Sequence, residues 1–218
     1  MISLRDTSKT ELGRHPVNMN DFYITNDLRF FNDIEFQTKL TNLINLSYYE
    51  GEQNILPWDN DKHKRTDVLS KNIKDQINDG EIFCLFENFE KENLTKNPIG
   101  TVRLEVCQKT NDVIVGQFAI SSEFRRQNLG SLLMNHVIQH FKKTMRTSEG
   151  SNHKKLKIEL LKPLDNSHAF KDFLHVWYQK LGFKLVSRVC VDQHPIYSEL
   201  SKITLCHCEF LEYEFDFD

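Results

Sequence analysis

The chain has 218 residues, of which 39% are hydrophobic and 27% charged, and it carries a formal net charge of −3. This size and composition are typical of a globular chain that buries one sizeable core. The balanced charge argues against a broad nucleic-acid-binding surface, and no apolar run approaches the roughly 20 residues that a membrane span needs.

The N-terminal segment is polar, mixed in charge and without the apolar core of a signal peptide. We expect residues 1–18 to form an arm and residues 19–218 to form a single domain. The five cysteines are odd in number, and most lie in apolar runs typical of strands. This favours reduced thiols and a cytoplasmic location, with a nuclear one as the alternative. Cys206-His207-Cys208 has no second Cys/His pair at zinc spacing, so no metal site is predicted.

In the first half of the chain, the apolar pattern predicts two helices among four strands. Asn32 or Asp33 suits the N-cap of the first helix, because a side-chain oxygen there can accept from an unpaired N–H of the first turn. Gly80 ends the second helix. The last three of these strands are expected to pair as an antiparallel meander. The expected elements are a strand over 22–28, helices over 34–46 and 67–78, and strands over 82–86, 99–107 and 113–120.

In the second half, helices and strands alternate. A helix follows the polar loop over 121–131, with apolar residues at mostly four-residue steps. The basic stretch over 144–155 is expected to be irregular. Apolar and acidic side chains alternate in the final strand, which predicts one buried and one acidic face. The other expected elements are a strand over 156–161, a helix over 170–181, and strands over 184–191 and 204–217.

The most informative segment is Phe118–Met134, which reads FAISSEFRRQNLGSLLM. A strand, a basic turn and a helix N-terminus follow one another in it. The first N–H groups of a helix lack internal partners and carry partial positive charge, so this arrangement favours a bound phosphate. Gly130 lets the backbone approach such a ligand closely. The segment has neither the G-x-x-x-x-G-K-[ST] pattern of the mononucleotide loop nor the three glycines of the dinucleotide fingerprint.

The run from Arg125 to Gly130, RRQNLG, resembles the Gln/Arg-x-x-Gly-x-Gly/Ala signature of the GNAT superfamily, the acyl-CoA-dependent N-acyltransferases. Tyr178–Phe183, YQKLGF, resembles the family's later Tyr-x-x-x-Gly-Phe element. The order of predicted elements is also that of the GNAT fold. The expected fold class is therefore α/β (α+β mixed), with a mixed, mostly antiparallel sheet of about seven strands flanked by helices.

Two departures from the family pattern stand out. Asn128 occupies the usual position of the first glycine, and asparagine tolerates the left-handed conformation better than most residues. Asn166-Ser167-His168-Ala169 resembles the family's Asn-x-x-Ala at the start of the last helix. Tyr178 then follows about one helical turn late, so either that helix is extended or Asn166 is not the equivalent residue.

The resemblance implies that the strand before the loop splays from its parallel neighbour and that pantetheine enters the gap. The pyrophosphate would lie on the N–H groups of residues 126–131, with Arg125 and Arg126 adding charge-assisted bonds. Tyr178 matches the family tyrosine that protonates the leaving sulfur. The expected acetyl-CoA contacts are Phe118, Ala119, Ile120, Arg125, Arg126, Gln127, Asn128, Leu129, Gly130, Ser131 and Asn166.

The function implied by the resemblance is transfer of an acetyl group from acetyl-CoA to a primary amine, by direct attack in a ternary complex. Lysine, with a pKa near 10.4, needs more help to lose its proton than an α-amine near 8, so an α-amino group or a small-molecule amine is slightly favoured. No convincing carboxylate base precedes the loop. His168 and His175 are bases by residue type, although packed or surface roles are more typical of such positions.

The resemblance points to Tyr48, Tyr49, Glu50 and Trp58 and to the acidic face of 212–218 as the acceptor region, where aromatic and acidic groups would suit a cationic amine. A loop with a buried tryptophan and a solvated strand face is the preferred interpretation of these residues. A catalytically weak GNAT-like acyl-CoA-binding or sensor module is the alternative function, and a site for another phosphate ligand is a third. The expected partners are acetyl-CoA and an amine, without nucleic acid or membrane. A homodimer could form if the C-terminal strand were exposed.

Overall fold

The computed structural model describes residues 19–27, 33–57, 80–87, 97–107, 109–147, 155–215 and 217. The expected N-terminal arm, the helix predicted over 67–78 and Trp58 lie outside these residues. The strands are β1 Phe22–Thr25, β2 Gly80–Glu87, β3 Gly100–Val106, β4 Val113–Ile120, β5 Leu156–Pro163, β6 Lys184–Cys190 and β7 Cys208–Phe215. The helices are α1 Ile34–Gly51, α2 Leu129–Thr147 and α3 Ala169–Lys180.

The seven strands form one sheet in the order β1-β2-β3-β4-β5-β7-β6. Only the β4–β5 pair is parallel; the other five pairings are antiparallel. The predicted mixed, mostly antiparallel sheet is therefore confirmed. The last strand, β7, pairs with β5 along one edge and with β6 along the other. The expectation that this strand is exposed for pairing with a second copy is therefore wrong, because both of its edges are already used.

Several element boundaries differ from the expected ones, including the end of α1, the end of α2 and the start of β7. Asp33 caps α1 by accepting from the Glu35 N–H at 2.9 Å, but the helix continues beyond 46 to Gly51. The second helix, α2, runs through Thr147, so the stretch expected to be irregular from 144 begins as helix. The final strand starts at Cys208 because the residues just before it fold back, and the His207 carbonyl accepts from the Leu164 N–H at 2.9 Å.

The sheet buries a different set of side chains on each face. On one face, α2 and α3 pack against the largest apolar cluster, which includes Leu133, Val137 and Tyr213. On the other face, Phe36 and other residues of α1 pack against Ile82, Cys84 and Phe86 of β2. Truncating one such buried residue to alanine typically costs about 2–5 kcal/mol, so these clusters hold the helices to the sheet. Among the described residues, no helix is both long and apolar enough to cross a bilayer.

Candidate active site

The two parallel strands at the centre of the sheet separate from each other. β4 and β5 pair only from Val113 to Val115 against Leu156 to Ile158. Beyond these residues, β4 continues against β3 and β5 continues against β7. A wedge-shaped gap therefore opens between the strands towards their C-terminal ends, as the resemblance implied. Backbone groups of β4 that would otherwise pair with β5 face this gap.

A β-bulge in β4 turns a phenylalanine towards the following helix. The register shifts by one residue between Thr101 and Arg103 of β3, and Gln117 has a φ of 47°. Such a bulge bends a strand and redirects its side chains. The Phe118 ring lies 5.3 Å from the Trp177 ring, and a Cβ built on Gly130 would lie 3.3 Å from Phe118 Cζ. Glycine at 130 thus leaves the start of α2 in close contact with the splayed strand.

The loop between β4 and α2 uses two non-glycine residues in the left-handed conformation. Arg126 has a φ of 62° and Asn128 a φ of 63°. The Asn128 carbonyl accepts from the Leu132 N–H at 3.1 Å, which starts the helical hydrogen bonding. The N–H groups of the first turn of α2 therefore point out of the helix towards the loop. Asparagine in place of the family's first glycine keeps the backbone shape that an anion site needs.

The two arginines of the loop differ in their surroundings. The Arg125 Nε donates to the Ile120 carbonyl at 3.0 Å, and its Nη1 lies 2.6 Å from a carboxylate oxygen of Glu50. Its charge thus already faces a carboxylate from the end of α1. The Arg126 side chain is exposed. Of the two arginines, Arg126 is the one whose charge is better placed to contact a phosphate.

Tyr178 lies inside the core beside the gap. Its ring is 6% exposed and packs 5.5 Å from the Tyr213 ring and 6.3 Å from the Phe183 ring. Burial, with smaller contributions from the phenols of Tyr48 and Tyr213, raises the pKa of Tyr178 well above its ordinary value. The hydroxyl therefore keeps its proton at neutral pH. Its electrostatic contact with Tyr48 also places the end of α1 near it.

The start of α3 resolves the second departure from the family pattern. The N-cap is His168, whose Nδ1 accepts from the Lys171 N–H at 3.4 Å and whose Nε2 lies 3.2 Å from the Gln53 carbonyl oxygen. Asn166 lies two residues earlier and is exposed. His175 bonds the Tyr213 hydroxyl at 2.6 Å. Both histidines considered as bases by residue type therefore have structural partners.

The structure brings together three ionisable residues that sequence analysis did not connect. Glu159 follows Ile158, the last β5 residue paired with β4, and lies directly opposite Glu212 of β7. The Nε2 atom of His194 lies 3.8 Å from a Glu159 oxygen and 3.9 Å from a Glu212 oxygen. These three residues are called the acidic cluster below. Side chains alternate along a strand, so the acidic cluster lies on the sheet face opposite Tyr178 and Tyr213.

The hydrogen bonds of His194 fix its protonation. Its Nδ1 accepts from the N–H groups of Ile196 and Tyr197, both at 3.2 Å. A neutral imidazole with an accepting Nδ1 carries its proton on Nε2, so Nε2–H points towards the two carboxylates. The His194 side chain is 1% exposed, and its Nε2 has no hydrogen-bond partner among the described residues. Burial lowers the pKa of His194, which keeps it neutral at pH 7.

Burial, together with the nearby charge of Glu212, raises the pKa of Glu159 above its ordinary value, although Lys157 acts in the opposite direction. The only sign of Glu159 in the sequence is a single acidic residue within the apolar run LKIELL. Glu212 belongs to the acidic strand face predicted to be near the acceptor. His194 has no such sign, because only the fold of the loop after β6 brings it to the carboxylates.

The splayed strands, the anion-binding helix start and the mixed sheet together define an acyl-CoA N-acyltransferase fold. The family model for the acetyltransferase (GNAT) domain matches residues 78–185. These residues therefore form a GNAT acetyltransferase domain. No curated protein matches the chain by sequence.

Solved structures of low sequence identity share this fold. A GNAT-family acetyltransferase from Staphylococcus aureus Mu50 is 16% identical, with a TM-score of 0.54 over 89% of this chain and 99% of its own. An aminoglycoside 6′-N-acetyltransferase complexed with coenzyme A is 11% identical, with a TM-score of 0.58 over 88% and 95%. The NatC complex bound to Gag peptide and CoA is 11% identical, with a TM-score of 0.56 over 91% and 99%.

Proposed function

We propose that this chain transfers an acetyl group from acetyl-CoA to a primary amine by direct attack in a ternary complex. The observation that carries the proposal is the gap between β4 and β5, which opens next to the anion-binding start of α2. An extended pantetheine arm can enter this gap and bond backbone groups of β4 that do not pair with β5, as an added strand would. The thioester then lies at the centre of the sheet, between its two faces.

The proposed acetyl-CoA contacts divide between the strand and the loop. The backbone of Phe118, Ala119 and Ile120 would hold the pantetheine amides. The N–H groups from Arg126 to Ser131, with the Arg126 side chain, would hold the pyrophosphate. Arg125 would contribute by fixing the loop, since it bonds the Ile120 carbonyl and Glu50. Asn166 is exposed in the β5–α3 loop, where it could reach only an outer part of the ligand.

Tyr178 is the proposed acid for the leaving thiolate. A buried phenol keeps its proton until a stronger base forms beside it, and a thiolate expelled into the same low-dielectric site is such a base.

The fold does not decide the acceptor, since one structural neighbour is named for an aminoglycoside and another was solved with a peptide. A cytoplasmic location is proposed for a protein whose described cysteines are free, with a nuclear location as the alternative.

The first test is thermal unfolding with and without acetyl-CoA, with ATP and NADH as controls. At a hundred times its Kd, a ligand that binds only the folded state adds about 2.7 kcal/mol, which corresponds to about 5–10 °C for a chain of this size. We expect a shift with acetyl-CoA alone, followed by CoA release when amines are added. Equal shifts with all three ligands, or none with acetyl-CoA, would refute the proposed cosubstrate.

A further inference from the structure

We infer that Glu159 is the general base of the transfer reaction and that Glu159 and Glu212 together bind the acceptor as a primary ammonium group. This inference rests on the proposed function and adds the residues and the substrate charge that the fold alone leaves open. The buried His194 Nε2 faces the two carboxylates at 3.8 and 3.9 Å.

The position of the acidic cluster supports a role on the attacking side of the thioester. Glu159 is the first β5 residue beyond the segment paired with β4, so its backbone lines the start of the gap. Its side chain leaves the sheet on the face opposite Tyr178. Base and acid would therefore lie on opposite faces of the sheet, with the thioester between them. This arrangement suits direct attack, because the amine approaches the carbonyl carbon from one direction while the sulfur leaves in another.

No lysine or arginine of the described residues forms an ion pair with the carboxylates of the acidic cluster. Like charges directly opposite each other in a sheet are destabilising. The nearest lysine along the strand, Lys157, already contacts Asp112 at 2.7 Å and Glu214 at 3.4 Å. Lys155 bonds Glu214 as well, and Arg188 of β6 bonds Glu209. Among the described residues, Glu159 and Glu212 therefore have no lysine or arginine within ion-pair distance, and their side chains are 24% and 34% exposed, open to a cation from outside.

The bonding of His194 argues against a metal ion in the acidic cluster. A carboxylate oxygen of Glu159, one of Glu212 and the Nε2 atom of His194 lie within 4.8 Å of one another, a spacing that a metal ion could bridge. A metal ion would need the lone pair of Nε2, and the proton would then move to Nδ1. That would break the two bonds that Nδ1 accepts from backbone N–H groups. The same argument excludes His194 as a base at Nε2, so a carboxylate must accept the proton.

The reaction can be followed atom by atom. The bound R–NH3+ gives one proton to Glu159, and the freed nitrogen lone pair forms the N–C bond to the thioester carbonyl carbon. The C–S bond breaks with its electron pair on sulfur, which takes the Tyr178 proton. The second proton lost by nitrogen replaces the tyrosine proton, and Glu159 releases its proton to water. The products are the acetamide, CoA thiol and one proton.

A carboxylate base favours acceptors with a modest pKa. An α-amine near 8 loses its proton to Glu159 more readily than a lysine amine near 10.4. The raised pKa of Glu159 brings the base closer in pKa to either amine and leaves the preference for the α-amine unchanged.

The experiment compares two kinds of nucleophile in the full chain with acetyl-CoA. Propylamine, spermidine and a tetrapeptide with a free α-amine are cations at pH 7.5, whereas methoxyamine is neutral and needs no base. We expect Glu159→Gln to lower kcat/KM for the best cationic probe by roughly 10²–10⁴-fold and to change methoxyamine transfer far less. Glu212→Gln should act mainly by raising KM for the cation. Glu214→Gln, on the same strand face but paired with lysines, is the matched control.

The outcomes separate this inference from the proposed function. Failure of the wild type to shift in thermal unfolding with acetyl-CoA would refute the proposed function itself. A normal shift with no transfer to any amine would refute the proposed transfer activity, whereas unchanged transfer in Glu159→Gln, or equal losses for both kinds of nucleophile, would overturn only the inference. Stabilisation by Zn²⁺ that Glu159→Gln removes would also overturn it, because the cluster would then hold a metal ion.

Discussion

Arg125 joins the phosphate loop to the end of α1 through Glu50, with 2.6 Å between guanidinium nitrogen and carboxylate oxygen. The same side chain donates to the Ile120 carbonyl through Nε at 3.0 Å, so one residue ties together β4, the loop and the first helix. The end of α1 is thus connected directly to the loop whose N–H groups would hold pyrophosphate.

We expect Arg125→Lys to weaken acetyl-CoA binding despite the conserved charge. Lysine has one compact ammonium group and cannot bond both Glu50 and Ile120 in the guanidinium geometry. The pair is about one-third exposed, so the loss of folding stability should be small, about 1 kcal/mol or less. Calorimetric titration with acetyl-CoA measures the affinity. Arg126→Lys, which keeps the charge of the residue proposed to contact the pyrophosphate, is the comparison variant, and wild-type affinity in Arg125→Lys would contradict the role of Arg125.

Gly130→Ala should reduce acetyl-CoA affinity through the ring of Phe118. The added Cβ would lie 3.3 Å from Phe118 Cζ and 3.7 Å from a Trp177 ring carbon, so the aromatic pair must move away from the loop. We expect an affinity loss of about tenfold, or 1.4 kcal/mol, from this shift at the gap. Gly116→Ala is the matched control on β4, because its Cβ would meet no atom within 4 Å. Wild-type affinity of Gly130→Ala for acetyl-CoA would contradict a role of the Phe118 ring position in binding.

Much of the fold could be predicted from the sequence, because strand alternation and helical periodicity are local properties. The strand Val113–Ile120 was predicted with the bounds that the structure shows. The left-handed turn at Asn128 also followed from the side chain itself, since its φ is 63°. The pairing of β7 between β5 and β6 could not be predicted in this way, because strand order depends on contacts between distant segments.

The acidic cluster could not be predicted from the sequence. Glu159 and Glu212 lie more than fifty positions apart along the chain and meet only through the antiparallel register of β5 and β7. His194 arrives from the turn after β6, held by two backbone N–H groups. A search for a base on the strand before the phosphate loop could not find Glu159, because the residue lies on the neighbouring strand.

Tyr178→Phe should slow turnover while leaving acetyl-CoA binding and stability nearly unchanged. The ring contacts with Tyr213 and Phe183 remain, and only the proton donor is lost. A fall in kcat of roughly 10²–10⁴-fold is expected for loss of a general acid, measured as CoA release. Tyr213→Phe is the contrasting variant: it removes the hydroxyl bonded to His175 and should lower the midpoint of thermal unfolding more than Tyr178→Phe does. Unchanged kcat in Tyr178→Phe would rule out the acid role.

The pH dependence of kcat/KM should have an acid limb set by Glu159. Burial and Glu212 raise the pKa of Glu159, so the rate falls as pH drops through a value above that of an ordinary glutamate. In Glu212→Gln, the charge of Glu212 no longer raises the pKa of Glu159, so the acid limb should move to lower pH. In Glu214→Gln it should stay close to the wild-type position. A limb that moves equally in both variants would show a general charge effect and not a specific pair.

Glu159→Gln should stabilise the protein at neutral pH even as it removes activity. A carboxyl whose folded-state pKa is raised binds protons more readily in the folded state than in the unfolded one, so stability decreases as pH rises through that range. At pH 7 the ionised carboxyl therefore costs stability, and glutamine removes this cost together with the repulsion from Glu212. The gain in unfolding midpoint should shrink as pH is lowered past the raised pKa, where the wild-type carboxyl becomes neutral. A lower midpoint for Glu159→Gln at pH 7 would mean that an unseen cation already balances the pair.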